Sequence, residues 1–242
     1  MKLRPSLLPW LGSLAAFLFL SNHAGAQNVS TDPVGAITIT LKGGSDTHVS
    51  LPFQRPVALE TQVASISGNI ITVSATANIT GNQFVYSSPS QTNTYYLQFT
   101  SGNNDGQYYT VTANDNSTIT VNPNGDGNLD SNVNTGDTFR VIPYWTLNTL
   151  FPGGQSLYTS SIFVPQSSIL LPSDTTAGIN IASSNVYYYY TGSSFGGPGW
   201  RKTGDLSDLF PDVVLPPDSF FTVRHPASTS DTQLVLVGNV HM

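Results

Sequence analysis

The sequence predicts a nearly all-β fold, and three observations predict it: the composition, the period of the apolar runs and the residues between those runs. Charged residues make up 9% of the chain, hydrophobic residues make up 39%, and Glu60 is the single glutamate. Asn, Ser, Thr, Gly and Pro stand where exposed helices would carry Lys, Glu and Ala. Because the apolar fraction is too high for a disordered chain, we expect folded β structure.

Short apolar runs recur about every ten residues and are separated by turn residues, a pattern typical of all-β proteins. The runs predict strands at 34–41, 47–53, 70–75, 94–100, 107–113, 118–121, 137–143, 186–191, 219–224 and 233–237. The only helical pattern is one or two turns at 206–210.

A weak internal repeat divides the chain. The turn and alternating strand at 67–73 (SGNIITV) are echoed at 115–121 (DNSTITV), and 135–142 (TGDTFRVI) begins in the same manner. This pattern predicts a small β-barrel or sandwich unit over 60–142. The flanking segments differ in composition, with more proline and aromatic residues. We therefore expect 27–59 and 143–242 to pair as a discontinuous β-sandwich domain around the inserted unit.

The first 26 residues have the features of a cleavable secretory signal peptide. Lys2 and Arg4 precede an apolar stretch at 10–20 (WLGSLAAFLFL), and Ala24-Gly25-Ala26 forms a small-x-small site before Gln27. The apolar stretch is shorter than the ~20 residues that span a bilayer. We therefore expect export to the periplasm, the outer surface or the medium, without membrane insertion after cleavage.

Charge and cysteine content exclude several classes of protein. The chain has no cysteine, so it has no disulfide, no thiolate nucleophile and no lipid-modified cysteine. Its net charge is −6, and removal of Lys2 and Arg4 with the signal peptide makes the mature chain more acidic. Nucleic acid is not an expected partner, because binding phosphates needs a basic surface.

One hydrolase-like pattern occurs at 192–196 (GSSFG), which matches G-x-S-x-G around Ser194. Asp205 or Asp208, followed by His225, would complete the order Ser, Asp, His. The motif requires a strand, a strained turn and then a helix, whereas 197–199 (GPG) cannot begin a regular helix. A flexible glycine loop is the favoured interpretation, and a secreted serine hydrolase is an alternative.

An oxygen-rich loop gives the only metal hypothesis, a calcium site. Its candidate ligands are Asn122, Asn124, Asp126, Asn128 and Asp130. The twelfth position, where a carboxylate should close the coordination sphere, is Val133. A hairpin turn explains the same residues, and no other cofactor is expected. The histidines outside the signal peptide, His48, His225 and His241, lack the close spacing of zinc ligands.

Four consecutive tyrosines at 187–190 lie in a predicted strand, so alternate rings face opposite sides of the sheet. One pair is expected to enter the core. The other pair, Tyr188 and Tyr190, could form a stacking platform for a glycan together with Trp200. Ordinary cross-strand packing of half-buried tyrosines is the favoured alternative.

Nine segments carry a likeness to known proteins: 31–35 (TDPVG), 37–43 (ITITLKG), 49–53 (VSLPF), 91–96 (QTNTYY), 108–113 (YYTVTA), 142–147 (IPYWTL), 186–190 (VYYYY), 200–202 (WRK) and 212–217 (DVVLPP). With these segments the chain resembles an uncharacterised family of exported β-rich bacterial proteins of verrucomicrobial type. More loosely, the strand at 49–53 (VSLPF), a later aromatic strand with Trp200 and the turn at 216–221 (PPDSFF) are similar to β-modules appended to bacterial surface proteins. The family has no assigned activity, so the resemblance implies export and β structure but no catalytic residue.

These observations favour an exported, non-enzymatic β-protein that acts as a structural or interaction module at or outside the cell surface. A surface poor in charge and rich in Asn, Thr, Ser and Tyr suits contact with glycans or with like β-proteins. The alternatives are a glycan-binding module that uses exposed Tyr and Trp rings, the secreted hydrolase, and, weaker still, an outer-membrane barrel. The oligomeric state is left open.

Overall fold

The structure is a computed structural model that describes residues 33–172, 182–183 and 185–240. The signal-peptide prediction at 1–26 and His241 lie outside the described residues. Within them the chain forms sixteen strands, one short α-helix and three short 3₁₀ helices. The prediction of an all-β fold is confirmed.

The secondary structure elements follow in chain order. The strands are β1 (Val34–Leu41), β2 (Asp46–Ser50), β3 (Phe53–Gln54), β4 (Leu59–Ser67), β5 (Ile70–Val73), β6 (Tyr95–Phe99), β7 (Tyr108–Asn114), β8 (Thr118–Val121), β9 (Thr138–Pro143), β10 (Trp145–Thr146), β11 (Ser168–Leu171), β12 (Asn185–Tyr190), β13 (Gly199–Lys202), β14 (Val214–Leu215), β15 (Phe220–Arg224) and β16 (Thr232–Val240). The helix is α1 (Leu147–Leu150), and the 3₁₀ helices lie at Ala75–Ala77, Leu129–Ser131 and Pro152–Gly154.

Six strands close into an antiparallel barrel in the order β4-β5-β8-β7-β6-β9. The two echoed sequence segments become neighbouring strands, because β5 pairs with β8 and places Ile71 opposite Ile119. Alternating side chains of these strands, with residues from the connecting loops, fill the interior. The buried set is Val63, Ile71, Val73, Ile79, Phe84, Tyr95, Leu97, Phe99, Tyr109, Val111, Ile119, Val121, Leu129, Val133, Phe139 and Val141.

Two open sheets lie outside the barrel and share a second core. One has the order β1-β16-β3 and the other has the order β13-β12-β11-β15-β2. Their apolar faces form a sandwich with the buried residues Leu41, Val49, Leu51, Leu147, Leu150, Phe151, Ile169, Tyr187, Trp200, Leu215, Phe221, Val223, Leu234 and Leu236. The described residues belong to one compact unit, so an independently folding insertion at 60–142 stays a prediction.

The segment predicted as a single strand at 47–53 is divided between the two open sheets. β2 pairs with β15, whereas β3 pairs with β16. Pro52 lies between them and lacks a backbone N–H, so it cannot continue a strand ladder. The chain therefore crosses the sandwich at Leu51 and Pro52, and this crossing brings Phe53 and the residues after it towards the barrel.

The prediction of helical turns at 206–210 is wrong, because this segment contains bends and irregular structure. Its polar groups have tertiary partners instead: Ser207 O accepts from Arg201 Nη1 at 3.1 Å, and Phe210 N donates to Trp200 O at 3.0 Å. The helix forms at α1, where Thr146 and Thr149 make a reciprocal capping box. No helix in the described part of the chain is both long and apolar enough to cross a membrane.

Two glycines opposite each other on β1 and β16 make room for β3. Gly35 pairs with Gly238. A Cβ added at Gly35 would lie 2.4 Å from the Phe53 ring, and one added at Gly238 would lie 2.5 Å from Gln54 O. Because the contact at Gly238 is with backbone, it cannot be relieved by rotating a side chain.

We predict that Gly238→Ala lowers the free energy of unfolding by about 1–3 kcal/mol, because β3 must shift. Urea denaturation measures the change, with Val237→Ala on the exposed face of the same strand as control. An alanine normally favours a strand over glycine. Unchanged or raised stability in Gly238→Ala would therefore contradict the close packing of β3.

Candidate functional site

The three residues predicted as an aromatic platform are buried: Tyr188, Tyr190 and Trp200 are 1%, 3% and 1% exposed. The register also separates them. Trp200 pairs with Tyr189, so these two rings share one face of the sheet, while Tyr188 and Tyr190 lie on the other. The expectation that the three rings offer one exposed face is therefore wrong. The rings pack in the interior instead, as the alternative interpretation proposed.

Loops on both sides of the sheet cover these rings. Phe163 stacks on Tyr190 with ring centroids 4.7 Å apart, and Phe195 meets Phe163 edge-on at 4.9 Å. On the opposite face Trp200 packs edge-on against Phe151 at 6.1 Å. The sequence pattern could not show this, because Phe163 and Phe151 come from segments distant in the chain from the rings that they contact.

Arg201 fixes the glycine loop that follows β12. Its side chain is fully buried and lies 5.5 Å from the centroid of the Tyr190 ring. Nη2 donates to Phe195 O and Gly197 O. The guanidinium therefore replaces its hydration with main-chain carbonyls, the compensation that a buried charge requires.

His225, the base that the hydrolase alternative requires, makes its hydrogen bonds to residues other than Ser194, Asp205 and Asp208. After the glycine loop the chain enters strand β13, where a nucleophile elbow would need a helix. Both ring nitrogens of His225 are engaged elsewhere, Nδ1 with Ser167 Oγ at 2.7 Å and Nε2 with Thr232 Oγ1 at 2.9 Å. His225 therefore has no nitrogen available as a base for Ser194.

The hydroxyl contacts of His225 determine its tautomer. Thr232 Oγ1 donates its proton to Ser156 O at 2.7 Å, so His225 Nε2 must be the donor to Thr232. Nδ1 then accepts from Ser167 Oγ, which itself accepts from Tyr158 N at 2.9 Å. Burial lowers the pKa of His225, partly opposed by the charge of Asp231, and so favours this neutral form.

In the proposed calcium loop, three of the candidate oxygens already accept hydrogen bonds from the protein. Asp126 Oδ2 accepts from Tyr109 Oη at 3.0 Å, Asp130 Oδ2 from Gly68 N at 2.8 Å, and Asn122 Oδ1 from Asn124 N at 3.1 Å. Asn124 has the left-handed φ of 53° that turns require. These contacts are those of a turn, while calcium binding stays a prediction.

A cleft between the barrel and the open sheets brings charged, amide and aromatic side chains together, and we call it the junction cleft. Its volume is about 190 Å³. Five separate chain segments line it, with Leu51, Pro52, Phe53, Gln54, Arg55, Tyr96, Gln98, Gly106, Pro143, Trp145, Leu215, Pro216, Pro217 and Asp218. Pockets of roughly 300–1,000 Å³ hold drug-sized ligands, so this cleft has room for one small unit of a larger ligand.

Arg55 and Trp145 form the ordered centre of the junction cleft. Trp145 Nε1 donates to Phe53 O at 2.8 Å, and the Arg55 guanidinium carbon lies 5.7 Å from the indole centroid. Nη1 of Arg55 donates to Asn93 Oδ1 at 2.7 Å and to Tyr144 O at 3.2 Å. The cation is thus held in place before any ligand binds.

Uncharged and acidic groups complete the lining. Gln54 Nε2 donates to Gln98 Oε1 at 3.1 Å. Burial, with the neighbouring Tyr144 and Asp218, raises the pKa of Tyr96, so its phenol stays neutral. Asp218 is exposed and adopts a left-handed φ of 58° in the turn after Pro217. The junction cleft therefore offers amides, one cation and one carboxylate beside aromatic rings.

Sequence reasoning missed the junction cleft, because no local pattern contains it. The segments that line it extend from Leu51 to Asp218, 167 positions apart in the chain. The only sequence signals were Trp145 two residues after Pro143, and the Pro216-Pro217-Asp218 turn.

No protein-family model, curated protein or solved structure matches this chain. The resemblance to exported β-rich proteins of verrucomicrobial type stays a prediction, and the candidate site rests on its geometry.

We predict that stability falls as the pH drops below about 6.5, the value for an imidazole in an unfolded chain. The lowered pKa of His225 means that the unfolded state binds the proton first, so acid favours unfolding until the folded pKa is reached. Melting temperatures between pH 8 and pH 5 should decline in the wild type and decline less in His225→Gln. His48→Gln, at an exposed strand position, is the control. If the melting temperature of His225→Gln declines as much as that of the wild type, protonation of His225 is not the cause of the acid sensitivity.

For the loop at 122–130 we expect no change in melting temperature between excess chelator and excess calcium, because three of its candidate oxygens already accept hydrogen bonds within the protein. Differential scanning calorimetry on the full chain measures this. A site occupied at a calcium concentration 100 times its Kd would add about 2.7 kcal/mol. A rise that Asp126→Asn and Asp130→Asn abolish would instead establish calcium binding.

Proposed function

We propose that this chain is an exported, non-enzymatic interaction module that binds carbohydrate in the junction cleft. The observation that carries the proposal is the fixed pair of Arg55 and Trp145 in a cleft too small for more than one unit of a ligand. This retains the glycan-binding alternative from the sequence but moves it from the buried Tyr188, Tyr190 and Trp200 to a different set of residues.

The chemistry of the lining suits a sugar unit. A sugar ring has apolar C–H faces that pack against aromatic or aliphatic side chains, and hydroxyls that need both donors and acceptors. Trp145 and Phe53 supply apolar surface, while Gln54, Arg55 and Asp218 supply the polar groups. A few placed polar groups in a mostly preformed cleft are what specific small-ligand sites have in common.

An interaction role is also supported by the structural roles of His225 and Arg201, which lie outside the junction cleft. His225 is held between two hydroxyls, and Arg201 binds main-chain carbonyls. Both groups therefore stabilise the sandwich. The polar groups of the junction cleft, by contrast, lie where a ligand can reach them.

A second candidate, association with a like β-protein, is favoured by strand β1. It is eight residues long, lies at the edge of its sheet and carries no charged side chain. Val34 on this strand and Val235 and Val237 on β16 are more than half exposed. Uncharged edges of this kind are prone to pair with other strands.

We predict that the protein is retained on polysaccharide and that Trp145→Phe weakens binding about tenfold, since it removes ring surface and the bond that fixes Phe53 O. Affinity electrophoresis against a panel of neutral and acidic polysaccharides measures this. Trp200→Phe is the matched control, because the same substitution is made in the sandwich core, and its affinity should match the wild type. Circular dichroism checks that both variants are folded.

Absence of retention on every polysaccharide would contradict carbohydrate binding and leave association through β1 as the favoured function. Equal losses in both tryptophan variants would show that the effect comes from stability and not from the junction cleft.

A further inference from the structure

We propose that the junction cleft selects an acidic sugar, a uronic acid unit of a polysaccharide, and that Arg55 binds its carboxylate through Nε and Nη2. This inference rests on the proposed function and names the ligand class of the same site.

The first step is that one edge of the Arg55 guanidinium is free. Nη1 makes both of its hydrogen bonds within the protein. Nε and Nη2 donate to no residue in the described part of the chain, although Arg55 is only half-buried and lines the cleft. Three N–H groups therefore remain for a ligand.

Arg224 shows what this edge binds. Its Nε and Nη2 donate to the two carboxylate oxygens of Asp46, each at 2.7 Å. The parallel geometry of these two bonds is the arrangement that a guanidinium and a carboxylate prefer. Arg55 lines the cleft, and no carboxylate of the described residues pairs with its Nε and Nη2 edge.

The second step is that the charge of Arg55 is not compensated by the described residues. The ion pairs among them join Lys42 to Asp231, Arg140 to Glu60 and Arg224 to Asp46. Burial lowers the pKa of Arg55, although Tyr95 partly opposes the shift. A cation that has lost part of its hydration gains more from an anionic ligand than an exposed one does.

Asp218 lies in the same cleft but makes no ion pair with Arg55. Because its carboxylate is exposed, water and salt screen its repulsion of an acidic ligand more strongly than they screen the half-buried Arg55. As an acceptor, Asp218 suits a hydroxyl of the same sugar unit. A uronic acid carries both a carboxylate and such hydroxyls on one ring.

An acidic peptide is disfavoured by the edge of β3. A peptide that lay along this strand would need the carbonyl of Phe53, as strand addition requires free main-chain groups. Trp145 Nε1 already donates to that carbonyl at 2.8 Å. A sugar has no such requirement.

The experiment compares uronate polymers with the same polymers after chemical reduction of their carboxyl groups. Polygalacturonate, alginate and hyaluronate are the probes, and isothermal titration calorimetry on the full chain measures affinity. We expect at least one acidic polymer to bind about tenfold tighter than its reduced form, the size of a charged bidentate contact. Arg55→Gln should abolish this preference, and Lys202→Gln, which removes one positive charge outside the cleft, should keep it.

Arg55→Lys is a second variant that tests the proposal even if Arg55→Gln does not fold. It keeps the stem and the charge but not the paired donors, so the preference should fall by several fold. Equal affinity for acidic and reduced polymers, with both lost in Trp145→Phe, would overturn the acidic ligand and leave carbohydrate binding standing. No binding to either form would overturn both. Tighter binding of polyglutamate, lost in Arg55→Gln, would assign the carboxylate to a peptide instead.

Discussion

The pairing of the first described strand with the last is the constraint on which the other elements depend. β1 and β16 pair from Val34 opposite Asn239 to Leu41 opposite Thr232. The two ends of the described chain therefore lie side by side, and the chain between them must leave this sheet and return to it. β16 also pairs with β3, so the position of β3 depends on the same ladder. The glycines at 35 and 238 set how closely β3 can approach.

The junction cleft is a consequence of that connectivity. The chain leaves the sandwich after β3, forms the barrel between Leu59 and Pro143, and returns directly into β10, which pairs with β14. Departure and return therefore lie close together, and Arg55 and Trp145 meet there. Because both are held by main-chain carbonyls, Tyr144 O for the guanidinium and Phe53 O for the indole, the site is built on ordered elements and not on a free loop.

The residues that look most reactive in the sequence have structural roles. Arg201 and His225 are buried, Arg201 donates to main-chain carbonyls of the loops beside β13, and His225 bonds to the hydroxyls of Ser167 and Thr232. Burial of a polar group costs free energy unless partners compensate it. The fold therefore supplies those partners first, and a group committed in this way is not available to a ligand. Arg55 differs because, among the described residues, only its Nη1 has hydrogen-bond partners.

By itself the sequence determined the fold class. The two-residue period and the turn residues favour strands and turns through contacts between near neighbours in the chain, and the scarcity of Lys and Glu disfavours exposed helices. It placed strands such as β1 and β8 correctly, and the echo of 67–73 in 115–121 became a neighbouring pair of barrel strands. It missed the nine-residue strand β4 as well as the shorter strands β10, β11, β13 and β14. Tertiary structure alone decided which aromatic rings are exposed, since loops distant in the chain cover Tyr190 and Trp200. It also created the junction cleft, because charge, aromatic surface and amides reach one place only when non-local strands pair.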